Sequence, residues 1–132
     1  MTLQCFENIA DHLKSSMRVL NVEFFDREIA EKTIPVKGKF SLVIYYDGEG
    51  DFEYDMNTEV YSNRINGGLV LFGENLSDEK SNKEAIGLLE TIKTNLIGHS
   101  PPQSTPIRIT GISELDRVEN FVRYQIKFEF YI

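Results

Sequence analysis

The clearest pattern in the chain lies at its end, where apolar and polar positions alternate without a break from Val122 to Ile132. Val122, Tyr124, Ile126, Phe128, Phe130 and Ile132 share one side, and Arg123, Gln125, Lys127, Glu129 and Tyr131 the other. A period of two predicts a strand with one buried and one polar face. Slipping its register by one residue would move every aromatic into water, and burying its three aromatics is worth about 4 kcal/mol or more, so the register is strongly specified. Residues 40–46, Phe-Ser-Leu-Val-Ile-Tyr-Tyr, are apolar on both faces except at Ser41, which predicts a strand in the middle of the sheet. A short strand is expected over 22–25. Another begins at 106–110, is interrupted at Gly111 and runs towards Leu115, and a tight connection over 116–120 joins it to the terminal strand as a hairpin.

Two segments carry helical spacing instead. Leu3, Phe6, Ile9, Leu13, Met17 and Leu20 recur every three or four residues, predicting an amphipathic helix that ends near Leu20, with Asn21 as its stop. Ala85, Leu88, Leu89, Ile92 and Leu96 form a second stripe. Ser81 and Glu84 have the spacing of a capping box before it, Gly98 can close it in a left-handed turn, and Pro101-Pro102 force an extended exit. The polar stretches 26–39 and 75–80 are expected to be connections. These elements predict a single α+β domain over 1–132. It is expected to be a two-layer sandwich, with a mostly antiparallel sheet of four to five strands and both helices on one face. No internal repeat, low-complexity tract or linker interrupts it.

Two stretches in the middle are harder to assign. Residues 47–55 carry an acidic group at every second position, Asp47, Glu49, Asp51, Glu53 and Asp55, among turn-forming glycines, and predict a solvated loop that keeps a sheet edge from pairing. Oxygen ligands at alternating positions also describe a calcium loop, but that loop needs glycine where Phe52 stands and a carboxylate where Thr58 stands. Asn66-Gly67, between 59–65 and 68–72, is a strong local hairpin signal; a single long strand bent at Gly67-Gly68 competes with it.

Composition narrows the function classes. At 132 residues the chain can bury roughly two thirds of its unfolded surface, enough for a core without staples. Cys5 is its one cysteine, so no internal disulfide forms, and it is read as a small apolar side chain on the first helix. No apolar run is long enough to span a membrane, and the start lacks the basic-then-apolar pattern of a cleaved signal, which predicts a soluble protein. With 21 acidic against 14 basic residues the formal charge is −7, which argues against binding nucleic acid through counterion release. No spacing for a phosphate-cradling glycine loop exists. His12 is expected on the polar side of the first helix and His99 as a cap or surface residue, neither with an identifiable partner. No nucleophile, carboxylate pair or ligand set is apparent, so the chain is expected to have no catalytic residues, cofactor or metal.

Four stretches carry a resemblance: 40–46 with its aromatic end, 68–76 (Gly-Leu-Val-Leu-Phe-Gly-Glu-Asn-Leu), 85–102 with its helix, glycine stop and Pro-Pro exit, and the strand 119–132 after an acidic turn. In these segments and in the order of elements the chain resembles the Mu-like phage and prophage minor tail proteins related to tail terminators. The resemblance favours the long bent strand at Gly67-Gly68, and that form is expected. It implies a structural protein that forms a ring, typically a hexamer, on the head-proximal end of a tail tube. Such a ring stops tube polymerisation and docks the neck or connector and, in contractile tails, the sheath. It also implies presence in the host cytoplasm during assembly and then in the virion or a headless tail-like particle. The partners implied are other copies of the chain, the tail-tube protein and the neck protein. The loop with Asp47, Glu49, Asp51, Phe52, Glu53, Tyr54 and Asp55, together with 26–39, is the expected contact surface. A monomeric adaptor or assembly chaperone of the same α+β class is the rival expectation.

Overall fold

The computed structural model describes residues 1–17, 21–24, 40–74, 79–118 and 121–132. Helix α1 spans Thr2–Ser16, strand β1 Asn21–Phe24, β2 Ser41–Tyr54, β3 Val60–Glu74, helix α2 Glu79–Leu96, β4 Arg108–Val118 and β5 Phe121–Tyr131. The strands form one sheet in the order β1-β2-β3-β5-β4. β1 and β2 are parallel and all other neighbours antiparallel. Both helices cover one face, so the fold is the α+β sandwich that the two periodicities predict. The expected connection at 26–39 and the turn residues 119 and 120 lie outside the described residues, as do 75–78.

The main core is where the helices meet the sheet. Cys5, Phe6, Ile9, Ala10 and Leu13 of α1 and Ile92 and Leu96 of α2 pack on Leu42, Ile44, Ile65, Leu69, Leu71, Ile126, Phe128 and Phe130. Leu3, which the spacing places in the helix stripe, is 58% exposed, and Cys5 takes the buried position instead. The five buried residues of α1 make a broad stripe at the 3.6-residue period, and its edge is decided by what lies opposite. α1 ends at Ser16, with Met17 as its C-cap, earlier than Leu20. α2 begins at Glu79, so Ser81 lies inside it and is no N-cap. Gly98 does close α2 with a φ of +84°.

The far face of the sheet is also apolar in part. Val43 and Tyr45 of β2 with Val70 and Phe72 of β3 form a second buried cluster, which is why 40–46 reads as apolar on both sides. Further along the sheet this face turns polar: Lys127 is exposed, while Gln125 is buried and its amide donates to the Tyr45 hydroxyl at 2.5 Å.

β3 settles the ambiguity at Asn66-Gly67. It runs straight through, with Asn66, Gly67 and Gly68 paired to Glu129, Phe128 and Lys127 of β5. The adjacent glycines serve opposite faces. A Cβ at Gly67 would stand 2.5 Å from Phe128 Cζ and 2.8 Å from Phe6 Cε1, and one at Gly68 would stand 2.2 Å from Tyr45 Cζ and 2.3 Å from its hydroxyl oxygen. Close approach of aromatic rings, and not a turn, accounts for both.

Candidate functional site

The expected loop at 47–55 is not a loop. β2 continues to Tyr54 and pairs with β3 as far as Val60, with irregularities between Tyr46 and Glu49 and again between Gly50 and Glu53. Bulges of this kind bend and twist a ribbon away from its sheet. β5 pairs β3 from Arg64 onward, Asn63 exchanges backbone hydrogen bonds with Ile132, and among the described residues β1 pairs β2 up to Ile44. The result is a two-stranded arm, 51–62, beyond the body of the sheet. Its four strand residues from Asp51 to Tyr54 give it a reach of about 13 Å at ~3.3 Å per residue.

The carboxylates that suggested a flexible loop instead hold the arm in shape. The Asp55 carboxylate accepts the backbone N–H groups of Asn57 at 2.8 Å and Glu59 at 3.0 Å, and the Asp55 N–H donates to the Glu59 carbonyl at 2.9 Å. Tyr61 donates its hydroxyl to Glu53 at 2.8 Å, and that contact pushes the tyrosine's pKa up. Arg64, at the root of the arm, donates from Nη1 to Asp51 at 2.6 Å, and its Nε lies 4.0 Å from Glu129 on β5. Thr2 donates to Glu49 at 3.0 Å, tying the arm's base to the start of α1. Each of these four acids meets a donor within this chain. Among the described residues, no group of three or more His, Cys, Asp or Glu is arranged to hold a metal ion.

What the arm presents outward is apolar. Phe52, Tyr54, Met56, Val60 and Tyr61 are all exposed, Tyr61 at 63% and Met56 completely. A two-stranded ribbon has no second layer to bury such side chains, and exposed apolar side chains on so thin an element suit a protein contact. Sequence reasoning found Phe52 and Tyr54 but missed Met56, Val60 and Tyr61. Met56 lies in the turn, and Val60 and Tyr61 lie beyond it, where only the β2–β3 pairing brings them alongside β2.

At the base of the arm lies a recess of about 320 Å³, lined by Thr2, Leu3, Phe6, Tyr46 and Glu49. Phe6 forms its floor, edge-on to Tyr46 with ring centroids 5.8 Å apart. Burial and the neighbouring Glu49 push the Tyr46 pKa up.

The two histidines, unrelated in sequence, are stacked, with ring centroids 3.8 Å apart and planes within 6°. His12 of α1 bonds through Nε2 to the Asn95 carbonyl at 2.8 Å, and His99 bonds through Nε2 to Asn8 Oδ1 at 2.7 Å, so the pair joins α1 to the end of α2. Face-to-face rings direct their lone pairs in parallel planes, which cannot converge on one ion. Burial first, and His12 second, hold the His99 pKa below its ordinary 6.5. A lowered pKa means the unfolded chain takes up this proton before the folded one. Stability is therefore present above about pH 6.5 and is lost as pH falls through the folded value. Urea midpoints are expected to drop between about pH 7 and pH 5, and His99→Gln to shrink that drop. An unchanged slope in the variant would remove His99 as its source. Cys5 is buried, its Sγ donating to the Pro102 carbonyl at 3.5 Å. Burial pushes its thiol up, away from the reactive thiolate.

No protein-family model and no curated protein matches the chain. Among solved structures 33 chains match it in fold. One of them, whose designation names no activity, has a TM-score of 0.54 and 11% identity, covering 98% of this chain and 91% of that one. At that identity the likeness shows a shared fold and no more. Among the described residues no helix is long and apolar enough to cross a membrane.

Proposed function

We propose that the chain is a structural tail terminator, a subunit of a ring that caps the head-proximal end of a phage or phage-like tail tube. There it stops polymerisation and docks the neck or the sheath. The observation that carries this reading is the arm. It holds five exposed apolar side chains on a ribbon too thin to bury them, at a distance from the core. An arm on one subunit and a differently shaped receiving surface on the next make a heterologous contact, and such contacts close into rings when the rotation permits. The resemblance of four segments to tail-terminator-related proteins supplies the tube, the neck and the sheath as partners. Assembly in the host cytoplasm and residence in the finished particle follow from it.

The outer edge of β4 favours a second reading. Among the described residues its one neighbour in the sheet is β5, and an unpaired edge can accept a partner's strand, as an adaptor or assembly chaperone would. Light scattering of the purified protein over a concentration range, alone and with a tail-tube protein, separates the two. The terminator reading expects a mass of about six times 15.2 kDa, by itself or only on the tube. A protein that stays at 15.2 kDa in both settings is an adaptor.

A further inference from the structure

We infer that the outer edge of β4 pairs with itself: it takes β4 of a second copy, antiparallel, about a two-fold axis through Ile112. Among the described residues β4 ends the sheet, with β5 on its other side. Thr110, Gly111, Ile112, Ser113 and Glu114 are all exposed. Such an edge offers a row of backbone N–H and C=O groups to an incoming strand. β4 is 11 residues long and holds no proline that would interrupt a ladder.

The order of residues along the edge selects the occupant. Antiparallel pairing about Ile112 sets that residue against its own copy, Gly111 against Ser113, Ile109 against Leu115 and Arg108 against Asp116, the last three twice over. Small meets small, apolar meets apolar, and a cation meets a carboxylate. Moving the axis half a residue forward sets Arg108 against Arg117, and moving it half a residue back sets Arg108 against Leu115 and Ile109 against Glu114, so the same residues fix the register. The irregularities of β4 preserve the match. One lies between Ile109 and Gly111 and the other between Glu114 and Asp116, one on each side of Ile112. Arg108 and Asp116, across from Glu129 and Arg123, therefore share the face opposite Ile112. Asp116 is held charged by Arg123, which donates from Nε at 2.7 Å and keeps the carboxyl below its ordinary pKa, and a carboxylate has lone pairs for a second guanidinium. The formal charge of −7 on each copy opposes association, but Asp47, Glu49, Asp51, Glu53, Asp55 and Glu59 belong to β2 and the arm, with β5 between β3 and this edge. At physiological salt, exposed charges further apart than about 8 Å are largely screened.

The contact uses one patch on both copies and is complete at two, so it is independent of the arm and of the ring reading; a ring closed head to tail does not bring a residue against its own copy. Cysteine cross-linking tests it. Ile112 is 41% exposed, so Ile112→Cys spares the core, and Cys5 is buried. Residues directly opposite have Cβ atoms about 4.5–5.5 Å apart, a small shift from disulfide distance. Under mild oxidation Ile112→Cys is expected to give a covalent dimer on a gel run without reductant. Met56→Cys, fully exposed at the arm tip, reports chance collision and should cross-link more slowly. Adding Arg108→Asp to Ile112→Cys sets like charges opposite one another at both ends and should slow cross-linking about tenfold. Mixing that protein with a tagged Ile112→Cys chain carrying Asp116→Arg should restore a cross-linked heterodimer, because both ends again hold opposite charges. Asp116→Arg gives up the bond to Arg123, so circular dichroism checks its fold, and the Arg108→Asp result stands without it. If Ile112→Cys cross-links no faster than Met56→Cys, self-pairing is wrong and the edge is left to a strand of another protein. If Arg108→Asp leaves the rate unchanged, the register is wrong, and the two-fold pairing about Ile112 with it.

Discussion

Phe6→Ala is expected to cost about 3–5 kcal/mol, the range for removing a buried ring whose surroundings cannot collapse into the space. Phe6 is 1% exposed, and its ring centroid lies 5.8 Å from Tyr46 and 6.1 Å from both Phe128 and Phe130. Two strands, β2 and β5, thus lean on one side chain from α1. Gly67 sits beneath the same ring with no side chain of its own to fill a gap. Against a total stability of about 5–15 kcal/mol the loss is a large fraction, and it corresponds to a melting temperature lower by roughly 10–20 °C. Leu3→Ala is the internal control. It lies three residues earlier on the same helix but is 58% exposed, and should change stability by no more than about 0.5 kcal/mol. Calorimetry of the two variants decides the matter. Equal losses would mean that α1 packs on the sheet with a different face.

Replacing Phe52, Tyr54 and Tyr61 together by Thr is expected to abolish the proposed ring assembly while leaving the fold intact. Thr keeps the preference for extended backbone, so the ribbon itself survives. All three side chains are exposed, and the one bond lost, from the Tyr61 hydroxyl to Glu53, is a surface contact. In an interface the same side chains are the residue types that dominate binding, at about 2 kcal/mol or more each when truncated. Two such losses weaken association by about a thousandfold, and the third takes it beyond any practical concentration. Light scattering and circular dichroism on the same sample read the two halves of the prediction. A triple variant that assembles at wild-type concentrations would exclude the arm from the proposed interface.

The two predictions draw on surfaces that differ in how far sequence reveals them. Alternation from Val122 to Ile132 and the stripe around Phe6, Ile9 and Leu13 identified the buried faces, because burial imposes a period on each element separately. Phe40 to Tyr46, apolar on both sides, marked a central strand for the same reason, and the structure places it between β1 and β3 with an apolar cluster on each face. Gly98 before two prolines marked the end of α2, since few residues accept a positive φ.

What periodicity could not reach are features made by two distant segments at once. The acids from Asp47 to Asp55 have the local chemistry of a loop. They form half of an arm because 60–63 pair alongside them, and because Arg64, Tyr61 and the turn's own N–H groups take up the charges. Asn66-Gly67 has the local chemistry of a turn, but Phe6, Phe128 and Tyr45 require empty space there, and β5 supplies a partner strand straight through. The stacking of His12 on His99 brings together residues 87 positions apart, and nothing near either one announces the other. Sequence by itself determined the elements, their buried faces and the sandwich class, because each follows from short-range spacing and the cost of exposing apolar surface. Only the tertiary structure decided where the arm projects, which side chains it gathers at its tip and what lies at its base, because those depend on strand pairing between segments that have no local record of one another.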